Sequence, residues 1–453
     1  VHKRLVTAAL CVSALVVVPG ASAKEITVKG WNKAPGPRSF DTLKVSTFGP
    51  ASAKTVLVLI PGTLGGRGNF ALVGKELAAK VPGLQVWSMD RRSNQLEDTS
   101  AFEAVLKGTK TPKQALDYYV GWLTDPTITP HYQPPDVSTL SFAADWGMAV
   151  QMEDARRVVL AAKAKGKRVI LGGHSLGASA TVAYASWDFA GRPGYRDLDG
   201  LMLIDGGLKR SFGGTDAAIK DLDGKLAAIR KAPFADLLKL GIPWGTGVLA
   251  ELGAVAALKD PKSPSIAQAF PLLPAALKAP GAATNEGQFG YAFDASTSPA
   301  ALRLIQVRAG ALGADGNWVD GEVTPIQNLA QLFGREPGNS VEWFFPSRLS
   351  LDTQAASPLT MTADAKKLGL RLKYGSALNL PIYAIQTSLT KGGVLAGAKR
   401  LIAGSKIRRL PAADRVLVNA EKTNSHLDPI TAAPKTSAFL KTSIPWLRRV
   451  IGG

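Results

Sequence analysis

Along the first half of the chain, short apolar runs alternate with longer stretches in which apolar positions recur every three or four residues. Thr55-Val56-Leu57-Val58-Leu59-Ile60 is unbroken and rich in β-branched side chains, as expected of a strand covered on both faces. Residues 84–89, 168–171 and 201–205 repeat that pattern, and 26–29 with 43–48 predict a leading antiparallel pair. Helical periodicity is read over 70–79, 146–165 and 179–190. Two more apolar runs at 381–386 and 415–420 and an amphipathic stretch at 436–450 close the chain. Strands and helices in this rhythm predict an α/β fold, a mostly parallel sheet with helices on both faces.

Two stretches break the rhythm. Residues 97–140 form a polar and aromatic excursion with a proline-rich patch, Thr129-Pro130-His131-Tyr132-Gln133-Pro134-Pro135. Residues 206–377 show no strand–helix alternation and are rich in Ala, Leu, Pro and Gly. That length is too great for a loop, so a separate domain inserted after the strand ending at Asp205 is expected. The predicted organisation is therefore a core in two parts, 24–205 and 378–453, with 206–377 between them.

Composition adds an address and removes some chemistries. His2-Lys3-Arg4, an apolar run over 5–18 and Ala21-Ser22-Ala23 have the form of a secretory signal peptide over 1–23, cut before Lys24. An exported protein is expected, with no transmembrane segment in its mature chain. The one cysteine, Cys11, lies inside that leader, so neither a disulfide nor thiol chemistry is expected in the mature protein. Export without disulfides fits a bacterial secretion route. The net charge of +19 comes from scattered Lys and Arg, as at 399–409 and at Arg448-Arg449. It implies a general attraction to anionic surfaces such as a cell envelope. No motif points to nucleic acid, and no set of His or Cys has the spacing of a metal site.

The chemistry concentrates in Gly173-His174-Ser175-Leu176-Gly177, a G-x-S-x-G match between a predicted strand and a predicted helix. A sharp turn there lifts the serine hydroxyl clear of the sheet and sets it before helix N–H donors, provided small residues flank it. In that context the stretch resembles the nucleophile elbow of the α/β-hydrolase superfamily, whose secreted bacterial members include serine esterases and lipases. The resemblance covers both parts of the core. It implies a cap at 206–377, about whose interior it says nothing.

A serine hydroxyl needs a general base, and that base needs an orienting carboxylate. Of four histidines, His2 leaves with the leader, His131 precedes the elbow in the proline-rich patch, and His174 lies inside the turn. His174 is expected to point away from the serine's face. His426, just past the last predicted strand, is left, and it matches the family's order of serine, acid, histidine. The acid is less determined. The family's commonest position is the loop at 387–393, which holds no carboxylate here. Some members place the acid after the strand that precedes the cap, which points to Asp205. An aspartate there is also a common turn residue. Glu421, a cap carboxylate, or no acid at all are the alternatives. The resemblance further implies an oxyanion hole from the backbone N–H groups of Leu176 and Thr63.

These residues lead to the expectation of a carboxylic ester hydrolase acting through an acyl-enzyme, without a cofactor, on a small-molecule or lipid-like ester with a hydrophobic acyl group. Two other classes compete with it. A prolyl-aminopeptidase-like exopeptidase would need an acidic cluster in the cap, with Asp294, Asp315, Asp320 and Glu322 as candidates. A non-catalytic envelope-binding protein would need only the fold. One stretch is a decoy: Gly66-Arg67-Gly68-Asn69-Phe70-Ala71 fits G-x-G-x-x-A, and Asp90 follows at the next strand's end, as in a dinucleotide-binding fingerprint. Five residues separate its first glycine from the strand, where the fingerprint allows none.

Overall fold

The computed structural model describes residues 23–208, 218–321, 323–334 and 340–452. All of the expected leader at 1–23 except Ala23, and the cap candidate Glu322, lie outside the described residues. Eight strands form one sheet: β1 (Lys24–Lys29), β2 (Thr42–Phe48), β3 (Thr55–Ile60), β4 (Leu84–Met89), β5 (Arg168–His174), β6 (Gly200–Ile204), β7 (Ile382–Gln386) and β8 (Arg415–Asn419). Their order is β1-β2-β4-β3-β5-β6-β7-β8. The first two strands pair antiparallel, and β2 is antiparallel to β4; the other six run parallel. Every residue of β3, β4 and β6 is buried, which is why β3 and β6 read as unbroken apolar runs; β4 is interrupted only by the buried Gln85 and Ser88.

Helices α1 (Ala71–Lys80), α2 (Met148–Lys163) and α3 (Leu176–Ser186) connect the parallel strands, with α4 (Gly393–Gly404) and α5 (Ala438–Gly452) after β7 and β8. The helix after the elbow differs from its predicted span of 179–190. It starts directly after Ser175 and stops at Ser186, where the chain extends and Asp188–Phe189 pairs with Arg192–Pro193. All eleven of its residues are buried. Its apolar stripe therefore has no polar face to contrast with, and periodicity cannot mark its ends.

The stretch between β6 and β7 separates into two regions by what it packs against. Gly245–Lys259 lies against Asn285–Phe293 and Ile326–Gly334, and also against Ser100–Leu106 and Pro112–Tyr119 of the early excursion. The two interruptions of the sequence thus meet, through Phe102, Tyr119, Tyr132, Trp244 and Trp343. From about residue 345 the chain returns to the core. Ser347–Ala355 packs on α2 and α3, Met148 N–H donates to Asp352 Oδ2 at 2.8 Å, and Lys373 N–H donates to the Ser186 carbonyl at 2.9 Å. No described helix is long and apolar enough to cross a membrane.

Candidate active site

β5 ends at His174, and α3 begins at Leu176, so Ser175 alone makes the turn. Its backbone sits at φ 56° and ψ −121°, a strained region for any residue with a Cβ. The sequence permits this only because its flanks lack side chains. A Cβ on Gly173 would collide with the backbone of Gly177, and one on Gly177 would collide with the Ile60 carbonyl of β3. Ser175 N–H donates to the Ile204 carbonyl at 2.8 Å, which anchors the turn on the end of β6.

One residue further along β6, Asp205 adopts φ 45° and is wholly buried. Its Oδ2 lies 2.5 Å from His426 Nδ1, across 221 residues of chain. Oδ1 accepts Thr387 N–H at 2.7 Å, and Thr387 Oγ1 donates to Oδ2. Burial would raise this carboxyl, but the hydrogen bonds and charge of His426 and the two bonds from Thr387 outweigh it. The pKa is held below the ordinary carboxylate value. A carboxylate can only accept, so neutral His426 carries its proton on Nδ1 and leaves a lone pair on Nε2. That Nε2 is buried and has no hydrogen-bond partner among the described residues.

His426 is held from two sides. His174 Nε2 donates to the His426 carbonyl at 2.8 Å, and the two rings lie 4.4 Å apart between centroids. Total burial, and next the neighbouring His426, depress the His174 pKa to about 3, so this ring stays neutral at ordinary pH. On the other side Asp428 Oδ2 accepts Ser425 N–H at 2.6 Å. Its Oδ1 accepts Arg308 N–H at 3.0 Å and Thr324 Oγ1 at 2.7 Å. The histidine loop is thus tied both to the residue before Ser175 and to the inserted stretch.

The loop after β3 approaches Ser175 from the other side: a Cβ on Gly62 would come within 2.9 Å of the Ser175 Cβ. Thr63 N–H has no acceptor among the described residues. Leu176 N–H is the first of α3, with no turn before it to accept.

The other carboxylates are occupied elsewhere. Glu421 Oε2 accepts Gln386 Nε2 at 3.0 Å and makes no bond to His426. Asp294 accepts Ser296 N–H at 2.8 Å and Ala309 N–H at 2.8 Å, Asp315 accepts Asn317 N–H at 3.1 Å, and Asp320 accepts Ile326 N–H at 2.9 Å. Each of these three aspartates is thus occupied by backbone N–H groups of its own segment or of the strand beside it. His131 stacks on Trp122 within the excursion. In the decoy stretch, Asp90 accepts Arg67 N–H at 2.6 Å and pairs with the Arg67 guanidinium, so the carboxylate that would meet a ribose is already paired. Sequence reading singled out neither Thr387 nor Asp428. Thr387 opens the loop where an acid was sought, and Asp428 follows His426 by two, but their bonds join segments far apart in the chain.

A serine on a strained turn between a parallel strand and a helix, at the carboxyl ends of an open sheet, is the strand–turn–helix elbow that marks a class of α/β folds. The chain has the fold of the α/β-hydrolase superfamily. Neither a family model nor a curated protein matches the sequence. Among solved structures it is similar to a candidate lipase from Sulfolobus solfataricus, at 16% identity over 94% of each chain with a TM-score of 0.48. It is also similar to a thioesterase domain from the curacin biosynthetic pathway, at 12% identity over 93% of this chain and 99% of that one, TM-score 0.42. A third is an α/β hydrolase, GrgF, from Penicillium sp. sh18, at 11% identity over 95% and 100%, TM-score 0.42. At such distances the sheet order and the elbow, rather than these likenesses, define the fold.

Proposed function

We propose that this protein is an exported serine hydrolase that cleaves carboxylic esters through an acyl-enzyme. One observation carries the reading: His426 is locked by a buried carboxylate so that its free lone pair lies in the interior without a partner among the described residues, in a loop tied to the residue before Ser175. Burying an imidazole nitrogen unpaired is unfavourable, and a general base awaiting a hydroxyl proton accounts for it. In this reading Ser175 Oγ attacks the ester carbonyl while His426 Nε2 takes its proton. The N–H groups of Thr63 and Leu176 hold the oxyanion, and Asp205 stabilises the imidazolium. As the tetrahedral intermediate collapses, His426 gives the proton to the departing alkoxide. Water, deprotonated by the same nitrogen, then releases the carboxylic acid and restores Ser175.

The apolar helices of the inserted stretch favour a hydrophobic acyl group. The leader-like N-terminus supports export, and the net charge of +19 supports attraction to an anionic envelope. The test is turnover of p-nitrophenyl esters from acetate to palmitate by the protein and by Ser175→Ala. Turnover that disappears with the hydroxyl is expected. Equal rates in both, or none on any ester, would reject the reading.

A further inference from the structure

Arg91 begins the segment after β4 and is buried, although arginine is seldom found inside a protein without partners of high quality. Its partners are unusual in kind. Nη2 donates to the carbonyls of Pro61 at 2.5 Å and Gly62 at 2.8 Å, and Nη1 donates to the carbonyl of Gly65 at 2.8 Å. One guanidinium therefore gathers three carbonyls of the loop that faces Ser175. Nη1 also meets Glu342 Oε2 at 2.7 Å, and the guanidinium stands 5.3 Å from the Phe345 ring centroid.

Glu342, itself fully buried, comes from the inserted stretch. Its Oε1 accepts Ser93 Oγ, and its own N–H donates to the Leu64 carbonyl at 2.8 Å. Gly66 N–H donates to the Ser340 carbonyl at 3.3 Å, and Gly65 bridges to Val341. The carbonyls of residues 61, 62, 64 and 65 are thus all turned to Arg91 or to the Glu342 backbone.

In a trans peptide, the C=O of one residue and the N–H of the next point in opposite directions. Fixing the Gly62 carbonyl on Arg91 therefore aims Thr63 N–H away from Arg91, and it leaves that N–H with no acceptor among the described residues. The loop's own residues do not fix its shape: Gly62, Gly65 and Gly66 are permissive, and Leu64 sits at φ 56°. We infer that Arg91, held in place by Glu342, is the positioning residue that orients the oxyanion-binding loop, so that the inserted stretch sets the geometry of the site through one buried ion pair. This rests on the serine hydrolase reading above. Lysine cannot replace the guanidinium, since one ammonium cannot present a planar fork to three carbonyls and a carboxylate.

The test compares wild type, Ser175→Ala, Arg91→Lys and Glu342→Gln on a p-nitrophenyl ester, with active sites titrated by the acylation burst. A merely structural role would lower the number of titratable sites and leave kcat per site unchanged. A positioning role lowers kcat per titrated site. Losing a whole oxyanion donor costs about 10²–10³ in kcat, so a mis-set loop should cost roughly 10–100-fold, with KM within about 3-fold. Labelling by a fluorophosphonate should slow in parallel. Active wild type with undiminished kcat per site in both variants would overturn the inference while leaving the hydrolase reading intact. Wild type without turnover or labelling would overturn both.

Discussion

Replacing Asp205 by asparagine tests the site at its most constrained point. The two carboxylate oxygens are not equivalent. Oδ1 accepts the Thr387 backbone N–H at 2.7 Å, a donor that cannot turn around. In Asp205→Asn the amide oxygen must take that position, which puts the NH₂ where Oδ2 stood, 2.5 Å from His426 Nδ1. The Thr387 hydroxyl can rotate to accept, but Nδ1 must now accept as well, which moves the imidazole proton to Nε2. The nitrogen that should take the serine proton is then already protonated. The shape of the site is kept, yet its tautomer is inverted. Comparable inversions in serine hydrolase triads lower kcat by about 10⁴, or roughly 5 kcal/mol of barrier. Steady-state turnover of a p-nitrophenyl ester at pH 7–8, with KM measured alongside, reads this directly, and the melting temperature should change little. A variant within about ten-fold of wild-type kcat would refute the tautomer argument and move the orienting role away from Asp205.

Other consequences follow from the same geometry. Gly177→Ala would drive a Cβ into the Ile60 carbonyl, where backbone meets backbone and nothing can yield. It should destabilise the fold by at least about 2 kcal/mol and abolish labelling of Ser175; an unchanged melting curve would contradict the elbow packing. His174 has a folded pKa of about 3, below its unfolded value near 6.5, so the unfolded chain takes up the proton first. The stability this neutral ring contributes is complete above about pH 6.5 and falls by about 1.4 kcal/mol per pH unit as pH drops towards 3. In His174→Asn that dependence should vanish, so urea unfolding between pH 6 and 4 should show its stability gap from wild type narrowing. A constant gap would mean that His174 is not buried neutral.

Legibility in the sequence followed from where each signal arises. β3 and β4 have the bounds their sequences suggest, because both faces are covered: every residue of β3 is apolar or β-branched, and β4 keeps four apolar residues around Gln85 and Ser88. β5 runs to His174 rather than Leu171: Gly172 and Gly173 carry no hydrophobic signal, yet they pair with Leu59 and Ile60 of β3. The α/β-hydrolase fold could be anticipated because strand, turn and helix at residues 168–186 are local in the chain. Residues 206–377 lacked a period because their helices pack partly on the excursion at 97–140, and that partnership exists only in three dimensions. Asp205 could be singled out only among alternatives, since what distinguishes it is contact with His426 and Thr387, both far along the chain. Arg91 carried no signal at all. An arginine after a strand is ordinary until Glu342, 251 residues away, is seen beside it.

The central claim is that Ser175 becomes acylated, and peptide mass mapping after treatment with a fluorophosphonate tests it most directly. The account predicts a single adduct on the peptide containing Ser175, absent from Ser175→Ala and greatly slowed in Asp205→Asn. An adduct on another residue, or none in a folded protein, would contradict it.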